Sequence, residues 1–299
     1  MGHHDTQDED FFVVVWQQRI SIPYHTTIPV PLVRVCGTRL ICPLNDLSAH
    51  PLTSMNQDSL FVLVTAHPDD ESMFFVPTIR ALQRHPRQTV WLICLTTGDY
   101  DGLGKIRSKE LQQTALNVLE IDKVLLCDHA EVRDDPRQAW DISTASRLIS
   151  STLQKALEKE TTKYNHLTII SFDECGVSGH VNHRDTYLAC RYLCLHGDAK
   201  VFQPLPTLDL WCLVSDQLPI VKFLPLRAWF LLLLTCCGIV DVGFSTNSKA
   251  NVCIHRLQHP SLNWNAMASH ASQFVWYRRL FVIFSSYTYV NKLKKQKPR

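Results

Sequence analysis

Four short runs of mostly apolar residues constrain the fold more than any other feature of this sequence. The runs cover residues 60–65, 89–95, 123–127 and 167–172, and none of them alternates strictly between apolar and polar positions. Strands that are buried on both faces of a parallel sheet have this pattern, whereas half-buried strands alternate. The sequence therefore predicts four strands in the interior of one sheet.

Two stretches with helical spacing separate these predicted strands. Residues 106–119 and 144–157 place apolar side chains three or four positions apart, as on one face of a helix. Strands that alternate with helices are typical of βαβ units, which join parallel strands by right-handed crossovers. We therefore predict the α/β class: a Rossmann-like three-layer sandwich with a mostly parallel central sheet and an active site at the carboxyl ends of the strands.

The two ends of the chain differ from this regular centre. Five prolines within residues 1–57 break any long element, so we predict an irregular N-terminal segment there and one domain over residues 58–299. Residues 218–245 are unusually apolar. Their longest apolar run, residues 228–240, is shorter than the roughly 20 residues that cross a bilayer. This run is compatible with a core helix, a re-entrant segment or an interfacial anchor.

Composition excludes several classes of protein. Charged residues make up 19% of the chain and the net charge is only +2, which gives no reason to expect a nucleic-acid partner. The eleven cysteines are scattered, so we predict buried thiols in a reducing compartment and not a disulfide framework. The apolar stretch at residues 11–16 is too short for a cleavable signal peptide, and the match of residues 1–6 to the loose N-myristoylation pattern is best explained by chance.

Two loops rich in potential metal ligands follow the first and the fourth predicted strands. These residues are His67, Asp69, Asp70 and Glu71 in the first loop, and His180 and His183 in the second. If the two strands are neighbours, both loops open into one crevice at the carboxyl edge of the sheet. Each loop alone has an ordinary explanation, an acidic turn or the exposed start of a helix. Their coincidence at two strand ends favours a shared site.

The residue types indicate a division of roles. His67 and Asp70 can reach one ion from a single turn, and His183 completes a set of two histidines and one carboxylate, a pattern typical of catalytic zinc. A bound Zn²⁺ or other divalent metal lowers the pKa of its water and polarises a carbonyl group. Asp69 is then placed to act as a base that does not bind the ion. His180 supplies a proton or stabilises the oxyanion.

These motifs resemble those of the PIG-L/LmbE family of zinc-dependent N-acetylglucosamine deacetylases. Residues 64–75 look like the first family motif and residues 176–183 look like the second, within a similarity that spans roughly residues 60–290. The resemblance implies an LmbE-like deacetylase domain over residues 58–299. Weaker blocks support it in the expected order: residues 107–111, 134–136 and 270–279.

The block at residues 270–279 and the sequence at 73–75 are similar to the eukaryotic branch of the family. Members of that branch remove acetyl from N-acetylglucosaminyl-phosphatidylinositol, the second step of GPI-anchor synthesis, on the cytoplasmic face of the endoplasmic reticulum membrane. The resemblance thus implies a hydrolase of a linear amide bond whose partners are this lipid substrate and a membrane surface. It does not indicate an oligomeric state.

The resemblance also implies a role for each site residue. The ligands of the metal are His67, Asp70 and His183, the base is Asp69, and the residue that stabilises the tetrahedral intermediate is His180. Arg107 is implied as a contact to the phosphate or sugar of the substrate, since a planar guanidinium suits phosphate. The alternative for Arg107 is a surface ion pair with Glu110 or Glu120.

The mode of membrane attachment departs from the family pattern. Animal members of the eukaryotic branch usually begin with a membrane-spanning helix, and the first residues of this chain do not resemble one. The apolar run at residues 228–240 and the basic residues at 292–299 are the alternatives, because cationic segments gain about 1 kcal/mol per residue near anionic lipid. Residues 295–299 also resemble a dilysine retrieval signal, although a solvated tail explains them equally well.

Three other functions remain open at this point. The first is a soluble deacetylase of another GlcNAc-containing conjugate or of a chito-oligosaccharide. The second is a non-heme iron oxygenase, which also uses two histidines and a carboxylate but places them on a β-barrel. The third is a non-catalytic interaction subunit, which the complete set of site residues disfavours.

Overall fold

The computed structural model describes residues 13–16, 58–196, 208–216, 252–256 and 261–296, together with Lys222 and His259. Their strands form one sheet of eight, in the order β1-β4-β3-β2-β5-β6-β8-β7. The bounds of the strands are β1 Val13–Trp16, β2 Ser59–Thr65, β3 Gln88–Cys94, β4 Lys123–Leu126, β5 His166–Phe172, β6 Leu208–Leu213, β7 Val252–Arg256 and β8 Val290–Lys295.

Eight α-helices lie within the described residues. They are α1 Asp70–Phe74, α2 Val76–Leu82, α3 Gly104–Gln113, α4 Ile142–Glu158, α5 Gly176–Gly179, α6 Val181–His196, α7 Ser261–Ser269 and α8 Trp276–Phe284. A π-helical turn, Thr114–Val118, continues α3, and a 3₁₀ turn, Ser286–Thr288, precedes β8.

The central five strands, β4-β3-β2-β5-β6, are all parallel, as predicted. The strands at both edges are antiparallel: β1 pairs with β4, and β8 pairs with β6 and β7. The four strands predicted from apolar runs are β2, β3, β4 and β5, and each end lies within one residue of its predicted position. The sequence-based fold class is confirmed.

The sheet separates two apolar cores, which makes the three layers. Phe61 and Leu63 point from β2 to one face, where they pack with α1, α2, α3 and α7. Leu60 and Val62, at the alternate positions of β2, pack with α4 and α6 on the other face. Because both faces are covered, the interior strands have no polar face, which explains their continuous apolar runs.

The pairing of β2 with β5 positions the functional loops. The two strands are parallel, and their register places Leu63 opposite Ile170. The carboxyl ends of β2 and β5 therefore lie side by side at one edge of the sheet. The condition for a shared site, that the first and fourth predicted strands are neighbours, is met.

Several parts of the sequence-based picture need correction. Residues 13–16 were included in an irregular segment, but they form β1, because three valines and a tryptophan favour a strand that can pair with the edge of β4. The predicted helix at 106–119 is α3 followed by the π-helical turn, in which the N–H of Leu119 bonds the carbonyl of Thr114 at 2.9 Å.

The basic C-terminal residues are also more ordered than a solvated tail. Lys292 and Lys294 lie in β8, and Nζ of Lys295 lies 2.7 Å from Oδ2 of Asp209. Residues 297–299 and the apolar run at 228–240 lie outside the described residues. Among the residues that the structure describes, no helix combines the length and apolar character that crossing a membrane requires. The seven cysteines in the described ranges are free thiols.

Candidate active site

The loop that follows β2 turns directly into α1, and its own carboxylates hold its backbone. Oδ2 of Asp70 accepts hydrogen bonds from the N–H groups of Ala66 and His67, at 3.1 and 2.8 Å. Asp69, at the N-cap of α1, has a φ of +113°, a left-handed conformation that costs a non-glycine residue about 1–3 kcal/mol. Oε2 of Glu71 accepts from the N–H of Asp69 at 3.1 Å. Glu71 therefore supports the loop.

The loop that follows β5 presents the second cluster at the start of α6. Gly176 has a φ of +60°, and a Cβ there would lie only 3.0 Å from Cβ of His183, so this position requires glycine. The Gly176 carbonyl lies 3.1 Å from Nδ1 of His183. The ring of Phe172, the last residue of β5, stacks on the His183 imidazole with centroids 4.2 Å apart. Strand end and loop together fix the orientation of His183.

The two loops bring the predicted side chains into one cluster. One ligand atom from each of His67, His180 and His183 lies within 4.8 Å of the others. Oδ1 of Asp70 lies 3.1 Å from Nε2 of His183, and its Oδ2 lies 3.6 Å from Nδ1 of His67. His67, Asp70 and His183 are buried, and His180 is half-buried. The cluster thus faces solvent on the His180 side.

Nε2 of His183 is the atom that argues most directly for a metal ion. It is buried and makes no hydrogen bond, although Asp70 lies 3.1 Å away. Because Nδ1 donates to the Gly176 carbonyl, the neutral ring keeps a lone pair on Nε2. A buried lone pair beside a carboxylate and a second imidazole is a ligand position. The donor set of His67, Asp70 and His183 fits Zn²⁺ or a similar divalent ion.

His180 differs from the other two histidines in its hydrogen bonding. Its Nδ1 accepts from the backbone N–H of Asn182 at 3.2 Å, so the neutral ring carries its hydrogen on Nε2. Burial, together with the imidazoles of His67 and His183, lowers the pKa of His180 to about 4. A neutral imidazole with an Nε2–H group is a hydrogen-bond donor. This state suits the stabilisation of an oxyanion better than metal binding.

Two residues outside the predicted set orient His67. Nε2 of His67 lies 3.2 Å from Oδ1 of Asp134 and 3.3 Å from Oδ1 of Asn182. Burial by itself lowers the pKa of His67, but hydrogen bonds to Asp134 and Asp70 outweigh this effect and raise the pKa to about 9. A carboxylate behind a histidine fixes the ring in many metal sites. The sequence offers one signal for Asp134 as a site residue. It lies in the loop that follows β4, a third parallel strand, and such loops meet at the carboxyl edge of the sheet.

Arg107 lies in this site and not on the helix surface. Its Nη1 donates to the carbonyl of Gly98 at 2.8 Å and to Oδ2 of Asp134 at 3.3 Å. Its Nη2 donates to the carbonyl of Pro68 at 2.9 Å and lies 3.7 Å from Oδ2 of Asp69. Arg107 is buried, so it joins the loops that follow β2, β3 and β4.

The alternative of a surface ion pair for Arg107 is wrong. Glu110 instead accepts hydrogen bonds from the backbone N–H and the hydroxyl of Ser272, at 2.8 and 2.6 Å. Glu120 pairs with Arg80, with Nη1 and Oε2 2.8 Å apart. The spacing along α3 predicts neighbours on the same helix, but hydrogen bonds to groups at the strand ends turn Arg107 inward.

A second guanidinium reaches the predicted base from the far end of the chain. Nη1 of Arg278, in α8, donates to Oδ2 of Asp69. Burial lowers the pKa of Arg278 to about 10, so the side chain is still a cation at neutral pH. Asp69 therefore lies between the guanidinium groups of Arg278 and Arg107. Arg278 belongs to the sequence block at residues 270–279, but nothing in the sequence assigned it a function.

A buried Glu71–His270 pair ties the first loop to α7. Oε1 of Glu71 lies 2.6 Å from Nε2 of His270, and both side chains are fully buried. The hydroxyl of Ser72 donates to the same Oε1 at 2.7 Å, and the amide of Asn263 donates to the Ser72 carbonyl at 2.6 Å. These contacts secure the backbone on which Asp69 and Asp70 stand.

The fold and the site define the class of α/β protein with a mostly parallel sheet and a cluster of potential metal ligands at the carboxyl ends of its strands. A solved structure of N,N'-diacetylchitobiose deacetylase from Pyrococcus horikoshii matches the chain with a TM-score of 0.52. The match covers 81% of this chain and 84% of that chain at 18% sequence identity, so it concerns the fold.

Within that class the sequence identifies the family. The family model PIG-L, GlcNAc-PI de-N-acetylase, matches residues 62–194. N-acetylglucosaminyl-phosphatidylinositol de-N-acetylase from Bos taurus is 34% identical over 78% of this chain and 81% of its own length. The Saccharomyces cerevisiae enzyme of the same name is 29% identical over 77% and 79%. The chain belongs to the PIG-L family, and the resemblance inferred from its motifs is confirmed.

Proposed function

We propose that the protein hydrolyses the N-acetyl group of N-acetylglucosaminyl-phosphatidylinositol, giving glucosaminyl-phosphatidylinositol and acetate, the second step of GPI-anchor synthesis. The observation that carries this proposal is the carboxylate of Asp69, held beside a convergent cluster of imidazoles at the strand ends. The substrate follows from the relatives, whose names specify this reaction. The strands of the described residues form one mostly parallel sheet, whereas a non-heme iron oxygenase places its ligands on a β-barrel.

His67, Asp70 and His183 are the residues that we propose to hold a divalent ion, with Zn²⁺ the first choice. The buried Nε2 of His183, which makes no hydrogen bond and faces Asp70, and the carboxylate of Asp134 behind His67 support this assignment. When bound, such an ion polarises the acetyl carbonyl and lowers the pKa of a water molecule. His180 is left outside the ligand set because its Nδ1 already accepts a backbone hydrogen bond.

Asp69 is the proposed general base. The guanidinium groups of Arg107 and Arg278 favour its ionised form, which can accept a proton. Asp69 takes a proton from water as the water oxygen bonds to the acetyl carbon. The same proton passes to the amine nitrogen as the C–N bond breaks, so that acetate and the free amine leave.

His180 is proposed to donate from Nε2–H to the oxygen that becomes negative in the tetrahedral intermediate. A donor whose pKa is lowered to about 4 stays neutral, and its hydrogen bond strengthens as charge develops on the oxygen. Its partial exposure places it where a substrate can reach it.

Arg107 receives a different role from the substrate contact that the family resemblance implies. Its two terminal nitrogens are bonded to Gly98, Pro68 and Asp134. We therefore propose that Arg107 is a positioning residue for Asp69 and Asp134.

The proposed substrate is a lipid, so we also propose that the protein works at a membrane surface. The cytoplasmic face of the endoplasmic reticulum membrane is the expected location, since the relatives carry the name of an enzyme of this lipid pathway. An assay on a soluble GlcNAc conjugate such as diacetylchitobiose separates this proposal from the alternative of a soluble deacetylase.

A deacetylation assay with metal analysis on the same sample tests the proposal. Purified full-length protein is given N-acetylglucosaminyl-phosphatidylinositol in detergent micelles, and release of acetate and of the free amine is followed. We expect turnover that is lost on chelation and restored by a stoichiometric divalent ion. Turnover of diacetylchitobiose without turnover of the lipid would favour the soluble alternative, and no turnover of either by the loaded protein would refute a deacetylase.

A further inference from the structure

Helix α8 presents an apolar face to solvent, the reverse of an ordinary surface helix. Its exposed side chains share one side of the helix, at spacings of one, three, three and one residues, and define the α8 outer face. These residues, with their exposed fractions, are Trp276 (72%), Tyr277 (55%), Leu280 (46%), Ile283 (40%) and Phe284 (40%). A soluble protein has no reason to keep five large apolar side chains together on its surface.

The opposite side of α8 is fixed to the active site. Arg278 donates to Asp69, the proposed base, and Val282 is buried. The ring of Phe281 packs against Phe74 of α1, with centroids 5.7 Å apart. The outer face is therefore separated from the catalytic loop only by the thickness of one helix, about 10 Å.

Charge in this part of the chain is strongly one-sided. All 28 acidic residues precede position 242, whereas residues 242–299 contain nine lysines and arginines. Helix α8 itself contributes Arg278 and Arg279 and no carboxylate. A surface that carries the exposed Arg279, no carboxylate from its own helix and five exposed apolar side chains is complementary to anionic lipid, because headgroups attract the cation and acyl chains receive the apolar groups. Tryptophan and tyrosine are the residues that membrane interfaces favour.

We propose that the α8 outer face docks on an anionic lipid surface and so holds the active site against the headgroups. This inference rests on the proposed function, which supplies a lipid substrate. It explains why the helix that contacts the base also has the most exposed tryptophan among the described residues. Docking places Asp69 and His180 at the level where the sugar of a lipid headgroup lies.

A matched pair of triple variants tests the docking surface. The first replaces Trp276, Leu280 and Ile283 of α8 by serine. The second makes the same change at Leu188, Tyr192 and Leu195 of α6, which have the same helical spacing and exposed fractions of 41, 41 and 38%. Full-length proteins are mixed with phosphatidylcholine vesicles that contain phosphatidylinositol, and bound protein is measured by flotation.

We expect the α8 variant to bind at least about tenfold more weakly than the unmodified protein, because three apolar side chains lose their burial in lipid. The α6 variant is expected to bind like the unmodified protein. Equal binding by all three proteins, or a loss only in the α6 variant, would overturn the proposal. A concentration-dependent dimer that the α8 variant abolishes would assign the face to a second copy of the chain.

A second measurement follows the insertion of Trp276 itself. It is needed because other segments of the chain can contribute to vesicle binding in the flotation assay. Vesicles made with brominated phosphatidylcholine quench tryptophans that enter the acyl region. We expect the quenched fraction of fluorescence to fall in Trp276→Phe, while binding persists. The same quenching in Trp276→Phe and the unmodified protein would contradict docking through α8.

An acyl-free substrate separates this inference from the proposed function. N-acetylglucosaminyl-inositol phosphate is soluble, and the α8 triple variant is expected to deacetylate it at the unmodified rate. Turnover of the full lipid in vesicles should fall about tenfold or more in the same variant. Loss of both activities with intact folding would count against a docking role, and lack of activity in the unmodified protein would count against the proposed function alone.

Discussion

At the scale of single residues, the two adjacent aspartates of the first loop have very different surroundings. Oδ2 of Asp70 accepts two backbone N–H groups, and its Oδ1 faces His183. The imidazoles of His183 and His67 hold the pKa of Asp70 well below its usual range, although burial alone would raise it. Asp69 instead contacts the guanidinium groups of Arg107 in α3 and Arg278 in α8. The left-handed backbone at Asp69 is what turns the two carboxylates in different directions.

Replacing Asp69 by asparagine therefore separates catalysis from metal binding. We expect Asp69→Asn to lower turnover about 10²–10⁴-fold, the usual contribution of a general base, and to leave the metal content unchanged. Steady-state rates and metal analysis of the same preparation give both values. Glu131→Gln, at an exposed carboxylate of the loop that follows β4, is the control and should keep full turnover. Full turnover in Asp69→Asn would remove the base assignment.

Zinc affinities of single variants distinguish the proposed metal ligands from His180. We expect His183→Ala and Asp70→Asn to lose more than about 100-fold in zinc affinity, because each removes a proposed ligand. His180→Ala should retain the metal and lose turnover, since Nδ1 of His180 is already bonded to the backbone. Competition with a chromophoric chelator measures the affinities. Metal loss in His180→Ala with retention in Asp70→Asn would instead indicate a site of three histidines.

At the scale of elements, the buried strands were predictable because each has only apolar neighbours on both faces of the sheet. The loops that follow β2 and β5 were predictable for the same reason, since they begin where the apolar runs end. Arg278 and Asp134 were not, because they reach the site from α8 and from a long loop after β4. Their function depends on tertiary contacts, which a local pattern does not contain.

The elements at the edge of the sheet were also hard to predict from local sequence. Strand β8 has alternating buried and exposed residues and includes three lysines, so its composition resembles a tail. Pairing with β6 and β7 makes it part of the sheet. The alternative of a surface ion pair gave Arg107 the wrong direction, because its hydrogen bonds at the strand ends outweigh the attraction of Glu110 or Glu120.

A buried lysine at the start of β4 provides a test of element stability. Lys123 is almost fully buried, with Nζ 2.9 Å from Oε2 of Glu160 and 3.9 Å from the ring centroid of Trp91. We expect Glu160→Gln to lower the free energy of unfolding by about 1.5–3 kcal/mol, because it weakens a charged hydrogen bond to a buried cation. Chemical denaturation near neutral pH measures this change.

The Lys123 ammonium group also makes the free energy of unfolding depend on pH. Burial lowers the pKa of Lys123 below its unfolded value despite Glu160, so the unfolded chain binds more protons as the pH approaches 10.5. Stability linked to Lys123 therefore rises with pH in that range, and the rise should be steeper in Glu160→Gln. Lys159→Gln, at an exposed neighbouring position, is the control and should change stability by less than about 0.5 kcal/mol. A Glu160→Gln variant as stable as this control would show that Trp91 and water alone can stabilise the buried Lys123 cation.

At the scale of the whole molecule, the site joins parts of the chain that are far apart in sequence. The proposed ligands come from the loops after β2 and β5, and the residues behind them come from the loop after β4 and from α7 and α8. A metal ion held by the proposed ligands would join the loops that follow β2 and β5, the two central strands of the sheet. Binding to the folded chain alone then stabilises the whole domain.

Thermal unfolding with and without zinc measures this linkage. At a free zinc concentration of about 100 times Kd, the expected gain is about 2.7 kcal/mol, which corresponds to a rise in Tm of roughly 5–10 °C for a domain of this size. Chelation should reverse the rise. His183→Ala is the control for zinc bound elsewhere, for example by the eleven cysteines, and its Tm should not respond. An equal rise in His183→Ala and in the unmodified protein would place the stabilising ion outside the strand-end cluster, and the metal assignment of His67, Asp70 and His183 would then fail.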